Sequence, residues 1–317
     1  MQTIRLHEGD TVEQSTVISM GNFDGVHMGH RILLEKLVNR AKQLRVASMV
    51  VTFEPHTREV VTGELVPRLS TPQEKQLLLE EIGIDYLVEI DFNSSVVALS
   101  KEAFQQEVLV EQLRMVEFVQ GEDHRFGSTV QKKSHKKGSE VAQSPSQDTI
   151  LSTAIKLYGE NGVVAGSREI REHLAKGEVE AAVTMLGHPY LILAQRIRGK
   201  QIASKNGYPT LNFSTSSLDA KIIPPAGVYA AEVRYGEQKL KGCLYYGDCP
   251  TYGDRTAHFE FFSLDLVTTD PEVNEECELW LHVHIRPDRA FSSTQALVTQ
   301  ITKDVDTIKS YFVAGSN

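Results

Sequence analysis

The sequence predicts an α/β chain in two parts: a doubly wound, Rossmann-like N-terminal domain over residues 1–185, then a small antiparallel β-barrel with a C-terminal helix over 186–317. Three observations carry this. Residues 16–119 alternate short apolar runs with helix-like stretches, the rhythm of a parallel sheet with crossover helices. After Pro189 the texture changes to short β-like runs broken by Gly, Pro, Asn and Asp turns, the pattern of a small barrel. Finally, 317 residues exceed what one core usually holds, since compact domains run to roughly 100–200 residues.

In the first part, strands are expected at Thr16–Met20, Ala47–Phe53, Tyr86–Ile90 and Val116–Val119, with helices near 29–44, 72–82 and 100–113. Thr71-Pro72-Gln73-Glu74 marks one helix start sharply: an N-cap hydroxyl, a proline at the first helical position and a capping-box glutamate. A further helix is expected over 167–185, beyond a Ser/Gly/Gln-rich segment from Gly127 to Gln147 that has no hydrophobic period. In the second part, strands are expected at Gly227–Tyr235, Lys241–Tyr246, His258–Leu266 and Glu278–Ile285. Ser292-Ser293 opens the last helix, whose Leu297, Ile301, Val305, Ile308 and Phe312 recur on one face.

Composition narrows the functional classes. With 41% hydrophobic and 24% charged residues the chain is of ordinary globular type, and no window approaches the roughly 18 apolar residues of a membrane span. Met1 to Glu8 turns polar and acidic before an apolar stretch forms, so no signal or transit peptide is expected and the cytoplasm is the expected compartment. Cys243, Cys249 and Cys277, an odd count without CxxC spacing, read as reduced packing residues. A net charge of −9 gives no general reason to expect nucleic acid or an anionic membrane as partner, so a nucleotide site must be locally basic. The basic cluster Lys132, Lys133, His135, Lys136 and Lys137 reads either as a solvated loop or as a phosphate or RNA contact. His282 and His284 alternate with Trp280 and Arg286 on one expected strand face, where two histidines without a third ligand read as packing.

The first chemical constellation, Gly21-Asn22-Phe23-Asp24-Gly25-Val26-His27-Met28-Gly29-His30, lies between the first apolar run and the first helix. A glycine-rich turn from strand to helix N-terminus presents backbone N–H groups and the positive end of the helix dipole to a phosphate. Gly21, Asn22, Phe23, Asp24 and Gly29 are therefore candidate nucleotide-binding residues. His27 and His30, three apart on the first turn, are candidates to donate hydrogen bonds to the same anion. A structural turn and a pair of metal-ligating histidines are the alternative readings of these residues.

These residues resemble the nucleotidylyltransferase superfamily and, with the text around them, the bacterial bifunctional riboflavin kinase/FAD synthetase family. Val51-Thr52-Phe53-Glu54-Pro55-His56, Arg68-Leu69-Ser70-Thr71 with Glu74-Lys75, and Leu99-Ser100-Lys101-Glu102-Ala103-Phe104 are similar to family landmarks in the expected order. Gly121-Glu122-Asp123-His124-Arg125-Phe126-Gly127 resembles GxDFxFG, which implies that Asp123 lies beside the flavin or nucleotide, with His124 in a usual phenylalanine slot. Where the family has ISSTxxR, contributing hydroxyls and an arginine to ATP, this chain has Ala165-Gly166-Ser167-Arg168-Glu169-Ile170-Arg171. Ser167 and Arg171 keep their slots, whereas Gly166 and Arg168 depart. A cation in a helix's first turn is unfavourable against the dipole unless an anion joins it, so Arg168 is expected to contact an ATP phosphate.

In the second part Gly199 precedes Gly207-Tyr208-Pro209-Thr210-Leu211-Asn212. Read alone, this is a turn in which glycines admit close phosphate approach and Thr and Asn offer hard oxygen ligands for magnesium. It resembles the riboflavin kinase PTxN motif, which implies that Thr210 and Asn212 hold Mg-ATP, with Gly199, Gly207 and Pro209 at the nucleotide; Gln201 and Ala203 stand where glycines are common. The aromatic run His258-Phe259-Glu260-Phe261-Phe262-Ser263-Leu264-Asp265 carries a carboxylate that needs a partner or a task. A salt bridge satisfies it, but the resemblance implies that Glu260 is the kinase general base. Gly247-Asp248-Cys249-Pro250-Thr251 and Arg286-Pro287-Asp288-Arg289-Ala290-Phe291 are similar to GxxPT and RPExxF, which places Arg286 at the flavin. The resemblance thus implies riboflavin phosphorylation to FMN and FMN adenylylation to FAD, with ATP, riboflavin, FMN and Mg2+ as small-molecule partners. Its rivals are a kinase-only paralogue with a decayed adenylyltransferase site and a non-catalytic flavin- or RNA-binding regulator.

Overall fold

The computed structural model describes residues 1–7, 9–92, 99–121, 151–155, 166–199, 208–215, 218, 220–248, 257–265, 267 and 269–314. Asp123, His124, the Lys132–Lys137 cluster, Gly207 and Cys249 lie outside the described residues. The chain forms two compact units that are not separated by a single cut: Met1–Phe23, Gly29–Glu64 and Leu78–Val164 make one, and Asp24–Met28, Leu65–Leu77 and Ala165–Asn317 the other.

The first unit holds a parallel sheet of β1 (Gln2–Leu6), β2 (Thr16–Met20), β3 (Ala47–Glu54), β4 (Tyr86–Asp91), β5 (Met115–Gly121) and β6 (Leu151–Ile155), in the order β1-β4-β3-β2-β5-β6. All five residues of β2 and the first six of β3 are buried, as befits central strands covered on both faces, and this is why they read as continuous apolar runs. The intervening helices include α1 (Met28–Leu44), α2 (Thr57–Thr62), α3 (Pro72–Ile82) and α4 (Lys101–Ala103), which continues as π-helical turns over Phe104–Gln112. Ile18, Met49, Val51, Val88, Leu109 and Leu113 pack as one core. Edge strands β1 and β6 were not anticipated; β1 is short and partly exposed, so its alternation is weak. Strand order runs one way from β2 through β3 to β4 and the other way through β5 to β6. That reversal makes the carboxyl end of β2, beside β5, the topological switch point where open α/β sheets receive ligands.

In the second unit β7 (Tyr190–Ile197), β8 (Leu211–Phe213), β9 (Gly227–Tyr235), β10 (Gln238–Gly247), β11 (His258–Ser263) and β12 (Glu276–Pro287) close into a barrel, β10-β11-β8-β7-β12-β9, with every pairing antiparallel. Ile192, Phe213, Tyr229, Leu244, Phe259 and Leu279 fill its interior at alternate positions. α7 (Thr294–Ala314) lays Ile308 and Phe312 on an outer patch of Val228, Ala230 and Val283, and its Val305 is also buried. The helix expected over 167–185 is two, α5 (Ser167–Lys176) and α6 (Val179–Leu186), because Gly177 adopts φ 79° and ends the first as a left-handed cap. Ile170, Leu174 and Ala182 from these helices join the same core as the barrel. Among the described residues no helix is long and apolar enough to cross a membrane.

Two bulges correct the reading of β12. Against β9, register slips between Leu281 and Val283 and again between His284 and Arg286, so strict alternation fails. His284 therefore pairs with Tyr229 and stacks on its ring at 4.8 Å, whereas His282 meets Phe312 of α7 edge-on at 5.3 Å. The four residues expected on one face are divided. Burial pushes the thiols of Cys243 and Cys277 up to about 12, in keeping with packing roles.

Candidate active sites

The phosphate-type turn begins where β2 ends. Within the first unit, Gly21 N donates to Val51 O at 3.0 Å, and Phe23, buried with φ 47°, meets the His30 ring edge-on at 5.1 Å. Asn22 lies between them, half-buried, and Gly29 is buried in the first turn of α1. This puts His30 and Gly29 on the helix N-terminus that follows the switch-point strand.

Asp24 and Gly25 belong to the second unit, within which they make a polar clasp. Asp24 Oδ1 accepts from Leu69 N at 2.9 Å and Ser70 N at 3.1 Å, while Oδ2 pairs with the Arg171 guanidinium at 2.5 Å. Ser167 Oγ donates to Asp24 O at 3.3 Å, and Gly25 N donates to Ser70 Oγ at 2.9 Å. Gly25 is required: at φ 72° its added Cβ would stand 2.8 Å from Leu69 Cβ. His188 Nε2 lies 3.0 Å from Gly25 O. Asp24, Ser167 and Arg171, three expected nucleotide residues far apart in sequence, thus meet one another. Ser70 and His188 were missed, and only Ser70 lies in a quoted landmark. Arg168 is not part of the clasp; its side chain is 88% exposed and pairs with Glu172 at 3.1 Å, which offsets its unfavourable place in the first turn.

His27 is buried, and burial lowers its pKa to about 4 although Asp24 opposes the shift. It is thus a neutral imidazole at pH 7, a hydrogen-bond donor rather than a full positive charge. The unfolded chain, with this group near 6.5, binds the extra proton first, so its contribution is complete above pH 6.5 and is lost as pH falls toward 4. We expect the stability difference between the native protein and His27→Gln to fall by about 3 kcal/mol between pH 7 and 4. Denaturant titrations across that range measure it, and a pH-independent difference would refute the buried neutral imidazole.

The barrel builds the other site from three neighbouring strands. Asn212 of β8 and Tyr245 of β10 both stand opposite Glu260 of β11, so the three side chains project to one face. Asn212 is buried, its Nδ2 3.3 Å from Thr210 O and 3.4 Å from Thr210 Oγ1. Its amide occupies the place a Cβ on Gly199 would take, which explains that glycine by side-chain packing. Pro209 is exposed; Tyr208 anchors the segment, its hydroxyl 2.8 Å from Thr302 Oγ1 of α7. Glu260 is 24% exposed, and His258 Nε2 lies 3.0 Å from its Oε1. Sequence reasoning passed over His258, although its spacing of two from Glu260 on a strand was a usable signal. Arg286, turned outward by the second bulge, makes a two-pronged pair with buried Asp304 of α7, at 2.9 Å from Nε and 2.8 Å from its second terminal nitrogen to Oδ2. Thr210 hydroxyl, Asn212 amide oxygen and Glu260 carboxylate are hard donors of the kind that suit a divalent cation bound largely through phosphates and water.

A parallel sheet with a glycine-rich turn at its switch point, in one chain with a closed barrel presenting Thr, Asn and Glu together, defines a two-domain nucleotide-dependent transferase. Residues 10–156 match the family described as FAD synthetase, and residues 186–312 the family described as riboflavin kinase. The bifunctional riboflavin kinase/FMN adenylyltransferase of Buchnera aphidicola is 32% identical over 318 residues, covering 98% of this chain and 99% of its own. That of Escherichia coli K12 is 30% identical, over 95% of this chain and 94% of its own. A solved structure titled a macrolide-efflux protein from Streptococcus pneumoniae superposes with a TM-score of 0.77 over 95% of this chain and 97% of its own; at 23% identity it shows the fold alone. The chain belongs to the bifunctional riboflavin kinase/FMN adenylyltransferase family and carries both of its enzymatic domains. Both domain families are ATP-using transferases that generally require a divalent metal.

Proposed function

We propose that the chain converts riboflavin to FMN at the barrel, residues 186–317, and FMN to FAD at the N-terminal turn, residues 1–185. The observation that carries this is the β8–β11 register, which sets Glu260 opposite Asn212, whose amide in turn lies beside the Thr210 hydroxyl. Glu260 takes the proton of the riboflavin 5′-hydroxyl as that oxygen forms a bond to the γ-phosphorus of ATP; the bond to the bridging oxygen breaks and ADP leaves. Thr210 and Asn212 hold the nucleotide with Mg2+, which when bound neutralises charge on the phosphates. Gly199 and Pro209 border the nucleotide, and Arg286 borders the flavin.

In the second reaction an FMN phosphate oxygen attacks the α-phosphorus of ATP and pyrophosphate departs. Backbone N–H groups of the turn and the imidazoles of His27 and His30 stabilise the departing charge by hydrogen bonding, while the clasp of Asp24, Ser167 and Arg171 holds the turn's shape. Arg168 reaches phosphate by leaving Glu172. Both reactions are placed in the cytoplasm, where ATP is at hand and the cysteines stay reduced.

The test is to incubate the purified protein with riboflavin and Mg-ATP and separate riboflavin, FMN and FAD over time. His27→Ala with His30→Ala should abolish FAD formation and leave FMN formation nearly intact; loss of both would make the histidines supports of the fold. One observation favours a kinase-only reading: Gly166 caps α5 without any side-chain hydrogen bond, and Arg168 points to Glu172. Failure of the native protein to make FAD from supplied FMN would decide for it.

A further inference from the structure

We infer that His258 is a positioning residue for the kinase reaction, holding the Glu260 carboxylate in the orientation that receives the substrate proton. The inference rests on the assignment of Glu260 as general base. Residues two apart on β11 project to the same side, and the His258 Nε2 to Glu260 Oε1 distance is 3.0 Å. An ionised carboxylate only accepts hydrogen bonds, so the ring donates from Nε2.

The surroundings fit the ring to this task. In the β10–β11 register His258 stands opposite Gly247, which has no side chain to compete for the space above it. Tyr245, opposite Glu260, extends its ring to where a Cβ on Gly247 would be, closing that flank. Both side chains are partly shielded, His258 at 15% and Glu260 at 24% exposed, so the bond is less open to replacement by water than a surface pair. A glutamate has several rotatable bonds, and one donor fixed by the neighbouring strand restricts which way its second oxygen points. Orientation of that kind acts on turnover more than on affinity, because the base is used only as the hydroxyl attacks.

The experiment measures kcat and KM for riboflavin in the full-length protein with Mg-ATP, for His258→Ala, His258→Gln, Glu260→Gln and the His258→Ala/Glu260→Gln pair. FAD formation from supplied FMN reports the integrity of each variant. His258→Ala should lower kcat about 10- to 100-fold, with KM within about twofold, as for a lost hydrogen bond to a charged group. His258→Gln, whose amide also donates, should recover most of that loss. In the Glu260→Gln background, adding His258→Ala should cost little more. Unchanged kcat in His258→Ala, or losses that multiply in the pair, would overturn the positioning role while Glu260→Gln stays impaired. An equal fall in FAD formation would overturn it by making the ring structural. If Glu260→Gln itself turns over normally, the general-base assignment falls first and takes the inference with it.

Discussion

Replacing Glu260 by Gln is expected to lower the turnover of riboflavin phosphorylation by roughly 10²- to 10⁴-fold, with much less effect on riboflavin binding. The substitution keeps the size and planarity of the side chain and removes its capacity to accept a proton. Because that proton moves as the hydroxyl attacks, the loss falls on the transition state and little on the ground state. The amide can still receive a hydrogen bond from His258, so the site should keep its shape. Steady-state kinetics of FMN formation, together with fluorescence titration of riboflavin, separate the two effects. Normal turnover would remove Glu260 from the mechanism and leave it as half of a structural pair with His258.

The largest stability effect is expected at Glu74. Its carboxylate and the ammonium of Lys221 are both wholly enclosed and meet at 2.6 Å. Glu74 Oε2 also accepts from Thr71 N at 2.8 Å and Oε1 from Leu193 N at 2.8 Å, while Lys221 donates to Leu69 O at 2.8 Å. Burial pulls the lysine's pKa down, and the carboxylate works against that shift. Glu74→Ala leaves a buried cation without its counter-charge and two N–H groups without their acceptor, so it should destabilise the barrel's unit by about 3–5 kcal/mol. Adding Lys221→Met should return a large part of the loss, since an apolar pair in place of a buried ion pair is often close to neutral. Denaturant midpoints of the three proteins give the answer. An unchanged midpoint in Glu74→Ala would show that water reaches Lys221 and that the pair contributes little.

Glu74 also marks how far local sequence signals reach. The order Thr71-Pro72-Gln73-Glu74 predicts a capping box, and the reciprocal bonds are present, Thr71 N to Glu74 Oε2 at 2.8 Å and Glu74 N to Thr71 Oγ1 at 3.2 Å. Nothing in those four residues announces that the same carboxylate meets a lysine 147 positions on. Arg286 shows a different limit. Its sequence context resembles a flavin-side motif, but its side-chain direction follows from two bulges, and a one-residue slip sends a side chain to the other face. Asn212 and Glu260 were each legible as candidates from their motifs. Their adjacency depends on the pairing of β8 with β11, and β8, three residues long, was not anticipated.

By itself the sequence determined the class of each half, because periodicity and turn residues record locally which face of each element meets apolar surroundings, and its motifs named candidate residues. It also marked the starts of α1, α3, α5 and α7, left α2 and α6 unmarked, and at Gly177 held a stop signal that was passed over. Tertiary structure alone decided the strand order β1-β4-β3-β2-β5-β6, the closure of the barrel, and the meetings of Asp24 with Arg171 and of Glu74 with Lys221. Such pairings are selected by how whole elements bury their surfaces against one another, a choice made across a hundred residues or more and therefore absent from any single stretch of the chain.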